Sequence, residues 1–366
     1  ATTEIYTLSL HAALPICFSL HGVPLPDSLK AIARAGAGYN NIPVDECSKR
    51  GIVVFNTPGA NANAVKELVV AGLLLSSRKI YQGMSWVSTL KANGDGVAKL
   101  VEDKKGEYTG PEIAGKKLGV IGLGAIGVMV ANAAAALGME VVGYDPYISV
   151  ESAWNLSKDV RRAISLDSLL VESDYVTLHI PMDDSSRGLI SREKIALMKK
   201  GVRILNFARG GLVNNQDLLQ GIRGGKVAAY VTDFPEEDLV SVPEVLAIPH
   251  LGASTPESED NCAKMASKQI KGFLECGTIK NSVNFPDCML EPTGEHRIAV
   301  SNFNVPNMVG QITSILAEAG INIADMINRH RGDLAYNIID TEQPASDEII
   351  RMLSGIEGVL MVRGVR

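Results

Sequence analysis

Residues 120–127 read VIGLGAIG, and the use made of this stretch decides the fold. Three glycines, Gly122, Gly124 and Gly127, stand at GxGxxG spacing directly after an apolar run. Alone the pattern is weak evidence, because glycine-rich turns are common in α/β proteins; the flanks carry the decision. KKLGVI before it reads as a short, β-branched, buried parallel strand, and VMVANAAAALG after it as a helix closed by Gly138. MEVVGYDP then reads as a second strand ending at Asp145, 18 positions beyond Gly127. Strand, turn, helix and strand, with an acid about 20 residues past the turn, is the pattern of a dinucleotide site.

Each residue has a physical task there. Gly122 permits the tight turn, Gly124 lets the backbone approach a pyrophosphate, and Gly127 lets helix and strand pack closely. The phosphates meet N–H groups and the positive end of the helix dipole. Asp145 can accept hydrogen bonds from both ribose hydroxyls of the adenosine. It would repel an extra 2′-phosphate, so NAD is expected rather than NADP. The bland alternative is a structural turn without ligand, and the complete βαβ unit weighs against it.

The 366 residues exceed one ordinary domain and predict two or three. With 46% hydrophobic and 21% charged residues, large cores can form. The net charge of −6, without basic blocks or basic–aromatic interleaving, argues against nucleic acid as a partner. No uncharged apolar run reaches the roughly 18 residues of a membrane span. Five cysteines, Cys17, Cys47, Cys262, Cys276 and Cys288, are scattered without CxxC, which fits a reducing cytoplasm and offers no metal site. The start, ATTEIYTLSLHAALPICF, lacks basic residues before its weakly apolar middle and is no signal peptide. Nor does it read as a first strand and helix; residues 1–20 are expected to be foreign or atypical sequence in place of a native start.

Beyond it the grammar is regular. KAIARAG, PVDECSKRG and IVVFNTP predict strand, helix and strand. The stretch from Asn63 to Trp86 predicts one helix long enough to bridge domains, and residues 90–110 a polar crossover or exposed arm. Strand–helix alternation continues through DYVTLHIP, VRILNFARGG, AAYVTDF and EVLAIPH, the pattern of a doubly wound parallel sheet. From residue 296 the order becomes strand, helix, two strands, helix, strand, a separate small α+β domain. The two prolines of NFPDCMLEPTGEH mark a linker before it.

Three further motifs, LHIP at 178–181, NFARGGLV at 206–213 and PHLGAST at 249–255, follow GLGAIG and Asp145. Singly modest, the five in this order resemble the D-isomer-specific 2-hydroxyacid dehydrogenase family, over roughly residues 21–286. RAGAGYNNI and NTPGANANAVKEL resemble its substrate-domain loops, and the tail resembles an ACT domain. The resemblance implies an α/β fold: a Rossmann nucleotide domain (89–252) inserted in a flavodoxin-like substrate domain (21–88 and 253–286). A linker (287–295) and an ACT regulatory domain (296–366) would follow. It also implies a cytoplasmic homodimer or homotetramer that uses NAD and no metal.

Oxidising a secondary alcohol requires a base for the hydroxyl proton while hydride leaves to nicotinamide. His250 suits this, because imidazole titrates near neutral pH. Arg209 suits the substrate carboxylate, which a guanidinium holds bidentately. A carboxylate behind the histidine would orient it. The family's glutamate lies in DVFxxEP, but here the text is TDFPEEDL, so either Asp238 or Glu237 takes the role. The resemblance puts Asp233 at the nicotinamide end and Ala125 and Ile126 at the pyrophosphate. Ile180 and Pro181 fall under the adenosine, Phe207 and Ala208 along the nicotinamide, and Ala37 and Gly252 complete the cofactor set. It implies substrate contacts from Asn61 and from Lys105 of a neighbouring subunit, the latter equally readable as a solvated lysine. With the ACT-like tail, the implied substrate is 3-phosphoglycerate and the implied effector L-serine, held by Asn304 and Asn322; the bland reading is that these asparagines serve turns. Glyoxylate or hydroxypyruvate reductases and non-catalytic NAD-sensing relatives share the motifs and remain rival readings.

Overall fold

A computed structural model describes residues 12–13, 19–293 and 296–365, so most of the atypical start lies outside the described residues. In chain order the elements are β1 (Ala12–Ala13), β2 (Ala31–Ala33), α1 (Val44–Lys49), β3 (Val53–Phe55), α2 (Ala62–Arg78), α3 (Ile80–Ser88) and α4 (Val97–Lys104). Then come β4 (Lys117–Ile121), α5 (Ala125–Ala136), β5 (Glu140–Tyr144), α6 (Val150–Trp154), β6 (Arg161–Arg162), α7 (Leu166–Glu172), β7 (Tyr175–Leu178), α8 (Arg192–Leu197) and β8 (Val202–Asn206). The remainder is α9 (Asn215–Arg223), β9 (Val227–Thr232), β10 (Val245–Ala247), α10 (Pro256–Cys276), β11 (His296–Phe303), α11 (Met308–Glu318), β12 (Ile323–Arg331), β13 (Leu334–Thr341), α12 (Asp347–Ser354) and β14 (Val359–Val365). The chain forms two compact units, a central one of residues 62–255 and a terminal one joining 1–61 to 256–366.

In the central unit seven parallel strands run in the order β10-β9-β8-β7-β4-β5-β6. Strand order reverses between β4 and β7, the switch point at which open α/β sheets bind ligands. The inner strands β4, β7, β8 and β9 are largely buried and apolar because helices cover both faces, while the edge strand β6 is two exposed arginines. On one face Leu170, Ile204 and Leu218 share a core. On the other, Val65, Val69 and Leu73 of α2 meet Val128 and Ala131 of α5. The four-residue spacing of the α2 trio puts them on one stripe of the helix. That burial sets the division between units at 61/62 and 255/256, where the sequence reading drew it at 88/89 and 252/253. The expected single helix of 63–86 is broken at Lys79, whose φ of 47° is left-handed. Residues 89–108, expected as an arm, are short helical turns, largely exposed.

The terminal unit holds two sheets. β1, β2 and β3 are parallel, while the second sheet is antiparallel in the order β12-β13-β11-β14, with α11 and α12 completing a βαββαβ unit. β11 alternates with period two. Ile298 and Val300 pack with Ile312, Leu316 and Leu353 of the two helices. Ala299 on the opposite face packs with Phe55, Phe273 and Phe285. β13 is therefore buried along its whole length. Two arginines on this second face are answered: Arg297 forms a buried bidentate pair with Asp340, and Arg363 lies over the Phe273 ring at 4.0 Å. The segment expected as a linker is partly core. Phe285 is 0% and Cys288 1% exposed, Cys288 bridges to Ile279, and Thr293 donates to Asp340; residues 294–295 lie outside the described residues. Two apolar side chains outweigh what two prolines signal.

Candidate active site and cofactor cradle

The three glycines of the cradle differ in what surrounds them. A Cβ at Gly122 (φ +91°) would lie 2.5 Å from the His179 carbonyl oxygen, and one at Gly127 only 1.9 Å from that of Gly122. A Cβ at Gly124 would meet nothing within 4 Å. The first and third glycines thus close the turn against the protein, and the second faces open space. Gly124 caps α5, and Ala125, Ile126 and Gly127 form its first turn, which carries no acid. N–H groups at such a position lack intrahelical partners and favour an anion. Asp145 sits beside this turn. One of its oxygens accepts from Leu123 N–H and the other from Tyr147 N–H, each at 2.8 Å. These features fit a dinucleotide: space at Gly124, N–H donors at the helix start and a carboxylate fixed at the strand end.

Below the turn, burial holds the His179 imidazole near a pKa of about 3. Its Nε2 pairs with Thr177 Oγ1 at 3.0 Å, and its buried Nδ1 has no partner. Ile180 is half-buried and Pro181 exposed; Phe207 is buried and Ala208 half-buried.

The candidate reactive groups come from the C-terminal ends of β8, β9 and β10. Buried Asn206 ends β8 and holds the next turn. Its Nδ2 donates to the Arg209 carbonyl at 2.8 Å, and its Oδ1 accepts from Ala208 N–H at 3.2 Å. Sequence reasoning missed this residue, although it opens the NFARGGLV motif. Arg209 is exposed and donates to the Ala208 carbonyl; among the described residues it forms no ion pair. His250 is exposed, its ring 4.6 Å from that of Phe234. Asp233, just before Phe234, is 1% exposed and accepts from Gly252 N–H at 3.2 Å, while its other oxygen has no partner. Burial pushes its carboxyl up, opposed by the charges of His250 and Arg209. Arg209, Asp233, His250 and Gly252 are therefore neighbours in space.

The two candidate orienting acids lie on the exposed turn after Phe234. Asp238 accepts from Asn215 Nδ2 at 3.1 Å, and Asn215 also donates to Glu236. Glu237 makes no hydrogen bond or ion pair among the described residues, and neither acid pairs with His250. Lys105 is paired with Glu102 in an exposed turn.

In the terminal unit, Ala37 lies in a loop after β2 whose carbonyl accepts from Asn56 Nδ2 at 2.7 Å. Gly36 N–H donates to Thr57 Oγ1 at 2.7 Å, tying this loop to the one after β3. Asn61 is half-buried, its Oδ1 without a partner. Arg34, not singled out from sequence, folds its guanidinium over Gly36, and its buried Nε has no partner. Asn304 and Asn322 are exposed, and they lie at opposite ends of the antiparallel sheet, beyond the Phe303–Leu334 and Ile323–Thr341 pairs. The eight-residue strand β13 runs between those ends, a span of about 23 Å at about 3.3 Å per residue step. One chain thus cannot bring both asparagines to one small ligand.

Comparison with known proteins agrees with this geometry. Residues 70–252 match the family described as D-isomer specific 2-hydroxyacid dehydrogenase, NAD binding domain. The chain is 33% identical over 345 residues to D-3-phosphoglycerate dehydrogenase of Methanocaldococcus jannaschii, covering 93% of this chain and 61% of that protein. The Dictyostelium discoideum enzyme of the same name is 32% identical over 349 residues, with 92% and 81% covered. Matches to the Archaeoglobus fulgidus and Bacillus subtilis relatives span 53% and 48% of their lengths, so the chain covers only part of them. Among solved structures, apo D-mandelate dehydrogenase of Rhodotorula graminis aligns with TM-score 0.61 at 28% identity, covering 71% of this chain and 76% of that one. NAD+-bound 3-phosphoglycerate dehydrogenase of Entamoeba histolytica aligns with TM-score 0.59 at 27% identity, covering 75% and 82%. The chain belongs to the D-isomer specific 2-hydroxyacid dehydrogenases.

Proposed function

We propose that the protein oxidises D-3-phosphoglycerate to 3-phosphohydroxypyruvate with NAD, the step that opens L-serine synthesis. The observation that carries this reading is the meeting of Arg209, Asp233 and His250 at one edge of the sheet that also forms the glycine cradle. Bound at Gly122–Gly127 and Asp145, NAD supplies the hydride acceptor. Arg209, unpaired, takes the substrate carboxylate in its guanidinium fork and polarises the reacting oxygen. His250 accepts the hydroxyl proton. Glu237 is the acid left to orient it, since Asp238 is held by Asn215. The family resemblance assigns a further substrate contact to Asn61 and another to Lys105 of a neighbouring subunit.

A homodimer is supported by exposed apolar residues of α3, Tyr81, Met84 and Val87, which are 62%, 68% and 47% exposed beside an apolar groove of about 710 Å3. The βαββαβ tail is read as an ACT module that binds L-serine between Asn304 of one chain and Asn322 of another, the arrangement that their separation requires. No helix among the described residues is long and apolar enough to cross a membrane, and the scattered cysteines suit a cytoplasmic enzyme.

The test is NADH formation on D-3-phosphoglycerate, with D-glycerate as the unphosphorylated control. Turnover confined to the phosphorylated acid is expected. Equal turnover of D-glycerate would point to a glyoxylate or hydroxypyruvate reductase, and none at all to an NAD-sensing protein.

A further inference from the structure

A polar cleft of about 550 Å3 opens in the terminal unit, between the loops after β2 and β3 and the end of β12. Tyr39, Asn56, Asn281, Asp287, His330 and Arg331 line it. Its size is that of a small-molecule site. Arg331 donates through Nη1 to the Ser282 carbonyl at 2.7 Å, and among the described residues no carboxylate pairs with it. His330 beside it makes no hydrogen bond there. Asp287, also on the wall, accepts from Asn281 N–H at 2.9 Å through one oxygen, which leaves the other. Asn281 holds a left-handed φ of 60°, so the wall between these groups is a fixed turn. The cleft therefore offers a guanidinium fork and an imidazole on one side and a carboxylate oxygen on the other.

We propose that this cleft binds a small hydroxylated acid, a hydroxycarboxylate or a phosphate monoester. Arg331 and His330 take its oxyanion and Asp287 accepts from its hydroxyl. A bare polyanion is disfavoured by Asp287, and a neutral sugar leaves the guanidinium unanswered. This site lies outside the central unit, at the end of the antiparallel sheet opposite Asn322.

The cleft is also wired to the loop after β2. Arg331 holds the Ser282 backbone, and Ser282 Oγ donates to the Val54 carbonyl at 3.0 Å. The Asn281 carbonyl accepts from Asn56 N–H at 3.4 Å, and the Asn56 side chain holds the Ala37 carbonyl. A ligand that recruits the Arg331 guanidinium changes its hold on Ser282 and, through Asn56, the ordering of the loop at 36–39. Occupancy is thereby read at the loop after β2.

Calorimetric titration of the full chain with β-glycerophosphate and with L-malate tests this. Titrations are made in an Arg209→Gln background, which removes the other anion holder. Binding of either probe at millimolar concentration is expected, and the tighter one tells whether phosphate or carboxylate is the natural head. Arg331→Gln should weaken it at least tenfold. His330→Gln should weaken it several-fold and serves where Arg331→Gln, having lost its bond to Ser282, fails to fold by circular dichroism. Bound probe should slow amide hydrogen exchange at 36–39 and 281–283, and Arg331→Gln should abolish that effect. No heat with either probe, or undiminished binding in the folded variants, overturns the proposal.

Discussion

Alanine at Gly124 and at Gly127 should produce opposite failures. Gly124 has φ −75° and ψ −165°, a conformation that alanine adopts freely, and its Cβ would stand in open space. Folding should then change by no more than about 1 kcal/mol, the usual range for a helix N-cap. The added methyl occupies the approach to the pyrophosphate, so NAD affinity should fall at least about tenfold, or roughly 1.4 kcal/mol. Gly127 lies inside α5, where alanine gains about 1 kcal/mol of helix propensity over glycine. Its Cβ would meet the Gly122 carbonyl oxygen at 1.9 Å and its carbon at 3.0 Å, both backbone atoms that no rotamer change moves. Overpacking typically costs about 1–3 kcal/mol, and a clash this deep belongs at the upper end, for a net loss of about 1–2 kcal/mol. At about 2–4 °C per kcal/mol for a domain of this size, Tm should drop by roughly 2–8 °C. Scanning calorimetry reads the fold and titration calorimetry the cofactor. Wild-type NAD affinity in Gly124→Ala, or a Gly127→Ala protein melting at or above wild type, would refute the assignment of these two tasks.

Asp145→Ala should weaken NAD by about 1.5–3 kcal/mol, the worth of hydrogen bonds to a charged group, and narrow the preference over NADP; an unchanged ratio of the two affinities contradicts the ribose contact. His250→Asn should lower turnover by about 10²–10⁴ with NAD binding kept. Arg209→Lys should fail too, because a point charge cannot reproduce the fork; near-normal turnover in either variant means the pair is misassigned. His179 predicts an acid limb. Its folded value of about 3 lies below the unfolded value of about 6.5, so below pH 6.5 the unfolded chain binds a proton that the folded chain does not. That stability is complete above about pH 6.5 and falls by as much as about 1.4 kcal/mol per pH unit as pH drops toward 3. His179→Gln should flatten this limb in denaturant titrations across that range, and identical slopes would show that the imidazole is not kept neutral.

Much of the central unit was legible in the residues because its signals are local. A turn, its glycine spacing and the acid at the next strand end lie within 26 positions, from Val120 to Asp145, and backbone sterics dictate each. Alternating strands and helices force parallel pairing, and parallel strands place all their C-terminal ends on one edge. The approach of Arg209, Asp233 and His250 thus follows from order alone, without knowledge of contacts. In the tail, period-two burial along β11 is equally a local property.

What spacing could not carry was the competition between distant partners. Counting positions made Asp238 and Glu237 equal candidates; only the fold shows Asn215, from α9, taking Asp238. Prolines in NFPDCMLEPTGEH signalled a free tether, yet Phe285 and Cys288 found a hydrophobic face made by residues far away in sequence. α2 reads as an amphipathic helix in any context, and which core receives its stripe depends on α5, some sixty positions later. Arg34 and Asn206 drew no notice as letters because an arginine or an asparagine is unremarkable until burial shows which of its polar atoms are left without a partner and which backbone turn it holds. Propensity and spacing are properties of a few neighbouring residues, whereas burial and pairing are decided by whichever groups the completed fold brings together.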